Sequence, residues 1–126
     1  MILIIDDDLP FRKSLAEFLR LQSHAVAEVD NGREGLARLR RGDRPDVILL
    51  DLHMPVVHGW QFLASFAQDR TLDMPVIVLS GEADLALRSP PVVAALRKTV
   101  DPTILLSTIQ SAVSAEACRR FSIGPQ

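Results

Sequence analysis

Five short apolar runs constrain this chain more than any other feature, because all but the weak second one, which contains Glu28, are continuous rather than alternating. They are Met1 to Ile5, Ala25 to Val29, Val47 to Leu50, Pro75 to Leu79 and Val92 to Leu96. A strand with one wet face alternates apolar and polar residues; a strand buried on both faces, as in a parallel sheet, does not. Between the runs, apolar residues recur at helical spacing. Leu15, Phe18 and Leu19, with Phe11, share a face after Pro10, which suits the first turn of a helix. Asn31 to Arg41 turns Leu36 and Leu39 inward and arginines outward, and Gly42 stops it. Gly59 to Gln68 carries Trp60, Phe62, Leu63 and Phe66 at helical spacing, as packing residues. Glu82 to Arg88 predicts a short helix, broken by Pro90-Pro91. Asp101-Pro102 supplies an N-cap and first-turn proline for a helix through Ile104, Leu105, Ile109 and Val113. Five β-then-α units with right-handed crossovers predict an α/β fold, a doubly wound five-stranded parallel sheet with helices on both sides.

Composition narrows the function classes. The 126 residues are 48% hydrophobic and 24% charged, which suits one folded domain and excludes a disordered chain. With 14 basic and 16 acidic residues the net charge is −2, so global attraction to nucleic acid or an anionic membrane is not expected. The single cysteine, Cys118, has no partner for a disulfide or a zinc site, which fits a reducing compartment. No apolar run approaches the ~18 residues of a membrane span. Met-Ile-Leu-Ile-Ile followed by three aspartates lacks the early positive charge of a signal peptide, so a cytoplasmic location is expected. Arg33, Arg38, Arg40, Arg41 and Arg44 outnumber Glu34 and Asp43 locally, the pattern of a solvated helix face.

The polar residues that stop the runs carry the chemistry. In an open parallel sheet, sites form beyond the carboxyl ends of the strands, at a topological switch point. Asp6 and Asp7 end the first strand, Asp51 the third, Ser80 the fourth and Lys98 the fifth. The second contributes nothing comparable. Placing it at one edge gives the order 2-1-3-4-5 and brings the four contributing ends together. Two carboxylates about 4 Å apart repel by roughly 4 kcal/mol at an effective dielectric near 20, so a proton or a metal must intervene. Oxygen ligands without His or Cys favour a hard divalent ion, foremost magnesium. A carboxylate nucleophile beside magnesium, a hydroxyl and an ammonium suits phosphoryl transfer.

At these residues the chain resembles the receiver domain of bacterial two-component response regulators. The matching pieces are IIDDD, VILLDLHMP followed by Gly59, VIVLSG and LRK, in order and at matching intervals. The likeness covers residues 1–116, leaving 117–126 as a C-terminal tail, expected to be frayed from Ala117. It implies a flavodoxin-like receiver fold and a signalling module rather than an enzyme. Asp51 would be the phospho-acceptor, and Asp6, Asp7, Asp51 and the backbone carbonyl of His53 would hold Mg2+. Ser80 and Lys98 would bind the phosphoryl oxygens. The implied phosphodonor is a histidine kinase or phosphotransfer protein, and the signal is expected to leave by docking to a downstream protein. His53 and Glu82 stand where receivers tune dephosphorylation.

Several positions depart from the family. Thr99 replaces the proline that usually follows the lysine, so either a rearranged trans loop or a cis bond is expected there. Ala95 replaces a mobile Tyr or Phe ring, the interval from Ser80 to Lys98 is short, and His58 replaces an acid. These departures keep alive a receiver-fold docking module with impaired switching. A third reading, an aspartate-nucleophile phosphatase using Asp6 as nucleophile and Asp8 as acid, leaves Asp51 unexplained.

Overall fold

All five apolar runs form strands, and their burial follows their place in one sheet. A computed structural model describes residues 1–54, 59–81 and 91–122. The strands are β1 (Ile2–Ile5), β2 (Val26–Val29), β3 (Val47–Asp51), β4 (Val76–Ser80) and β5 (Val92–Arg97), and the described helices are α1 (Leu9–Leu21), α2 (Gly32–Arg40), α3 (Gly59–Gln68) and α4 (Pro102–Ser122). The sheet runs β2-β1-β3-β4-β5, with every adjacent pair parallel. Each residue of β1, β3 and β4 is buried, whereas edge strand β2 is only half-buried and edge strand β5 is mixed. The continuous runs therefore mark strands covered on both faces.

Alternate residues of each strand feed two separate cores. Leu3, Ile5, Ile48, Leu50, Val76 and Val78 pack with Leu36 and Leu39 of α2 and with Phe62 and Phe66 of α3. The two phenyl rings stack with centroids 5.8 Å apart. Ile2, Ile4, Val47, Leu49, Ile77 and Leu79 pack on the opposite side with Leu15 and Leu19 of α1 and with Leu105 and Ile109 of α4. Burying a side chain of this size contributes about 1.5–3 kcal/mol, so the two layers together fix how the strand ends are placed.

The helix starts follow local chemistry. Asp8 caps α1 by accepting from the Phe11 N–H at 3.1 Å, and Asn31 caps α2 through the Glu34 N–H at 2.9 Å. Asp101 accepts from both the N–H and the hydroxyl of Thr103, at 2.9 and 2.8 Å, at the start of α4. Beyond α2, Gly42 adopts φ +111°, a left-handed conformation open to glycine. Several details differ from the sequence expectation, among them Trp60, which is exposed rather than packed in either core. Strand β5 extends to Arg97, and its register against β4 shifts at Val93, leaving that side chain exposed. Asp51 is itself the last residue of β3. Helix α4 runs on to Ser122, through part of the stretch expected to fray. The short helix expected over 82–88 lies outside the described residues, as do His58 and Glu82.

Candidate functional site

The carboxyl ends of β1 and β3 lie side by side, because Ile5 pairs with Leu50 and each strand carries an aspartate just beyond that pair. Asp6, Asp7 and Asp51 each place a carboxylate oxygen within 4.8 Å of the others. Asp6 and Asp51 are 2% and 4% exposed, while Asp7 is open to solvent. The triad thus has two desolvated acids and one wet one.

Lys98 enters from the turn after β5. Its Nζ lies 3.1 and 2.9 Å from the two Asp6 carboxylate oxygens and 3.4 Å from Asp51 Oδ2. The same ammonium sits 4.7 Å from the centroid of the Phe11 ring on α1. Two backbone bonds set the turn: Lys98 N–H donates to the Ser80 carbonyl at 2.9 Å, and Val100 N–H to the Arg97 carbonyl at 3.0 Å. Ser80 is buried at the end of β4, one residue past Leu79, the register partner of Asp51. The fold therefore brings Asp6, Asp7, Asp51 and Lys98 together, with Ser80 on the adjoining strand. His53 is exposed, and its N–H donates to Asp51 Oδ1 at 3.1 Å.

One ammonium against three carboxylates leaves the cluster negative. Burial pushes the Asp51 carboxyl up, the His53 N–H opposes it, and the Asp6 charge adds to the rise, so that it reaches about 6 despite Lys98. Burial alone would lower the Lys98 ammonium, but the Asp6 and Asp51 carboxylates outweigh it and raise it. The donor set is all oxygen, converging and short of positive charge, and these residues fit a hard divalent cation such as magnesium.

Gly59, the first residue of α3, is required by contact. A Cβ there would lie 2.5 Å from the Asp51 carbonyl oxygen and 2.5 Å from Leu52 Cα, both backbone atoms. Its N–H donates to the Leu52 carbonyl at 3.0 Å, which holds the start of α3 against the end of β3. Asp8, the acid required by a phosphatase reading, is exposed and spends a carboxylate oxygen on capping α1. Sequence reasoning missed two contacts, the Phe11 ring beside Lys98 and the Arg12 guanidinium on the Asp6 carbonyl at 2.8 Å. Neither was visible as a motif, since both depend on how α1 crosses the sheet.

Comparison with known proteins decides the family. The family model described as the response regulator receiver domain matches residues 2–113. The chain belongs to the response regulator receiver family. Among curated relatives, this receiver is 36% identical over 80 residues to Protein PilH of Pseudomonas aeruginosa, covering 63% of this chain and 65% of PilH. It is 34% identical over 122 residues to the transcriptional regulatory protein PrrA of Mycobacterium bovis, covering 96% of this chain but 51% of PrrA. The receiver thus spans about half the length of PrrA. A solved CheY-like receiver domain protein from Methanospirillum hungatei JF-1 superposes with a TM-score of 0.84 at 25% identity, covering 94% of this chain and 96% of that one. Among the described residues, no helix of the receiver is long and apolar enough to cross a membrane.

Proposed function

We propose that this receiver accepts a phosphoryl group on Asp51 in a magnesium-dependent reaction, from a phosphohistidine of a kinase or phosphotransfer protein, and signals by binding another protein. The observation that carries this reading is the buried Asp51 carboxylate, grouped within 4.8 Å of Asp6 and Asp7 and 3.4 Å from Lys98, in a chain of the receiver family. Asp6, Asp7, Asp51 and the His53 carbonyl would hold the ion. When bound, magnesium supplies positive charge that offsets the carboxylates and the phosphoryl oxygens.

The residues of the chain account for the rest. A carboxylate oxygen of Asp51 attacks phosphorus, the phosphorus–nitrogen bond breaks, and the imidazole keeps the electron pair. The His53 N–H, bound to Asp51 Oδ1, fixes that oxygen, and the other, Oδ2, lies on the Lys98 side of the carboxylate. Lys98 is already at the site, and its ammonium moves from carboxylate to phosphoryl oxygen without crossing solvent. The Ser80 hydroxyl donates to a second phosphoryl oxygen, a preset donor of the kind that stabilises developing charge. Ala95, only 7% exposed within the core, offers no aromatic ring to follow Ser80, so any switch in this receiver must use other groups.

Incubating the protein with a small phosphodonor and magnesium should add the mass of one phosphoryl group. Asp51→Asn should abolish the gain, and chelation of magnesium should suppress it. Absence of uptake by the folded wild-type chain would refute the reading.

A further inference from the structure

Arg12 lies in the first turn and a half of α1, and its side chain folds back toward the end of β1. Its Nε donates to Glu28 Oε1 at 3.2 Å, and its Nη1 donates to the Asp6 main-chain carbonyl at 2.8 Å. The side chain is only 12% exposed, and the Glu28 side chain 10%. Lys13 and Arg20, from the same helix, also reach Glu28, each at 3.3 Å. Of these three cations, Arg12 is the one that also contacts Asp6. A planar guanidinium can serve two acceptors at once in fixed directions, which an ammonium does less well.

The carbonyl that Arg12 holds belongs to the peptide joining Asp6 to Asp7. Its orientation therefore sets how the two aspartates sit relative to each other. The other polar groups of Asp6 are also committed: its N–H donates to the Val29 carbonyl at 3.2 Å, and its Oδ1 accepts from the Asp8 N–H at 2.9 Å. Glu28 and Val29 are neighbours on β2, paired with Ile4 and Ile5. Strand β2 brings no side chain to the acidic triad, yet it grips the residue that starts it from two sides.

We infer that Arg12 is a positioning residue for the acidic pair: Glu28 aims its guanidinium, and the guanidinium pins the Asp6–Asp7 peptide so that both carboxylates are preset for a divalent cation. The inference rests on the reading of Asp6, Asp7 and Asp51 as the magnesium site. It differs from a salt bridge that merely ties α1 to the sheet, because Lys13 and Arg20 make that tie too. Partners behind metal ligands commonly change metal affinity by about 10–100-fold, and Arg12, acting through backbone, should lie near the tenfold end.

Magnesium binding to the full chain is measured by calorimetry for wild type, Arg12→Met, Arg12→Lys and Lys13→Met, alongside the Asp6 carbonyl 13C shift in metal-free protein. Arg12→Met should weaken magnesium binding about tenfold and move the Asp6 carbonyl resonance. Lys13→Met should change neither, and Arg12→Lys should fall between. Arg12→Lys also serves as the test variant if Arg12→Met does not fold. Wild-type affinity and an unmoved carbonyl in a folded Arg12 variant would overturn the inference, as would equal weakening by Lys13→Met. If the wild-type chain itself binds no magnesium, the reading of the triad fails instead, and the inference with it.

Discussion

Lys98 grips Asp6 through both carboxylate oxygens, at 3.1 and 2.9 Å, across a sequence separation of 92 residues. Strand order makes this contact possible. Between β1 and the turn after β5 lie β3 and β4, so a side chain from the last turn must lean over two strand ends to reach Asp6. In doing so it passes within 3.4 Å of Asp51. The ammonium holds together a pocket whose carboxylates would otherwise repel.

Replacing Lys98 by Met should therefore destabilise the metal-free protein. Losing a charged partner from a largely buried pair costs about 1–3 kcal/mol, read as a lower urea midpoint at pH 7.5 in the presence of chelator. Magnesium should restore much of it. Uptake from a small phosphodonor should slow by about 10²-fold, the usual effect of removing one preset charge-stabilising donor. An unchanged midpoint without metal would contradict a neutralising role for Lys98.

Asp51 gives the opposite sign. Its carboxyl sits at about 6 in the folded protein against 3.8 ordinarily, so the protonated form favours folding. That contribution is fully present below pH 3.8 and is lost as pH rises through about 6. Asp51→Asn should thus be more stable than wild type above pH 6 in chelator, by about 1–2 kcal/mol. The two proteins should converge as pH falls toward 4, and magnesium should cancel the advantage. Denaturant midpoints across pH 4 to 8 check this.

Gly59→Ala should cost about 1–3 kcal/mol, because the added methyl meets two backbone atoms rather than a movable side chain. The displaced atoms belong to Asp51 and Leu52, so phosphate uptake should fall together with thermal stability. Retention of both would show that α3 can shift freely away from β3.

Glu28 carries a pH dependence of its own. Burial would raise its carboxyl, but the hydrogen bonds from Lys13 and Arg12 and the charges of Lys13 and Arg20 hold it below 4.5. A depressed carboxyl stabilises above its unfolded value and loses that contribution as pH falls through its folded one. Wild type should exceed Glu28→Gln by about 1–3 kcal/mol near neutrality, a charge-assisted hydrogen-bond contribution. The gap should close below pH 4.5, and a pH-independent gap would assign the effect to packing.

Much of the site was legible because its signals are local. Continuous apolar runs predict strands buried on two faces, since the hydrophobic effect acts on every residue of such a strand. A polar residue that stops a run must then stand near a strand end, which places Asp6, Asp7, Asp51, Ser80 and Lys98 from the sequence alone. Pro10 near the start of α1, and Asp101 with Pro102 at the start of α4, marked those helix beginnings for the same local reason.

The rest depended on packing between distant elements. Nothing within β5 foretells the register shift at Val93, because a bulge is set by how the edge strand meets β4. The tail expected to fray is helical to Ser122, an outcome that periodicity near the chain end did not signal. Arg12 reads in sequence as one more helix-surface cation; only the crossing of α1 over β2 reveals that it is shielded and bound to the Asp6 carbonyl. By itself the sequence determined where the strands lie and which polar residues gather near their ends, because burial and capping are properties of neighbours along the chain. Tertiary structure alone decided which charges meet, because a Coulomb interaction depends on distance in space and on the water removed between the groups.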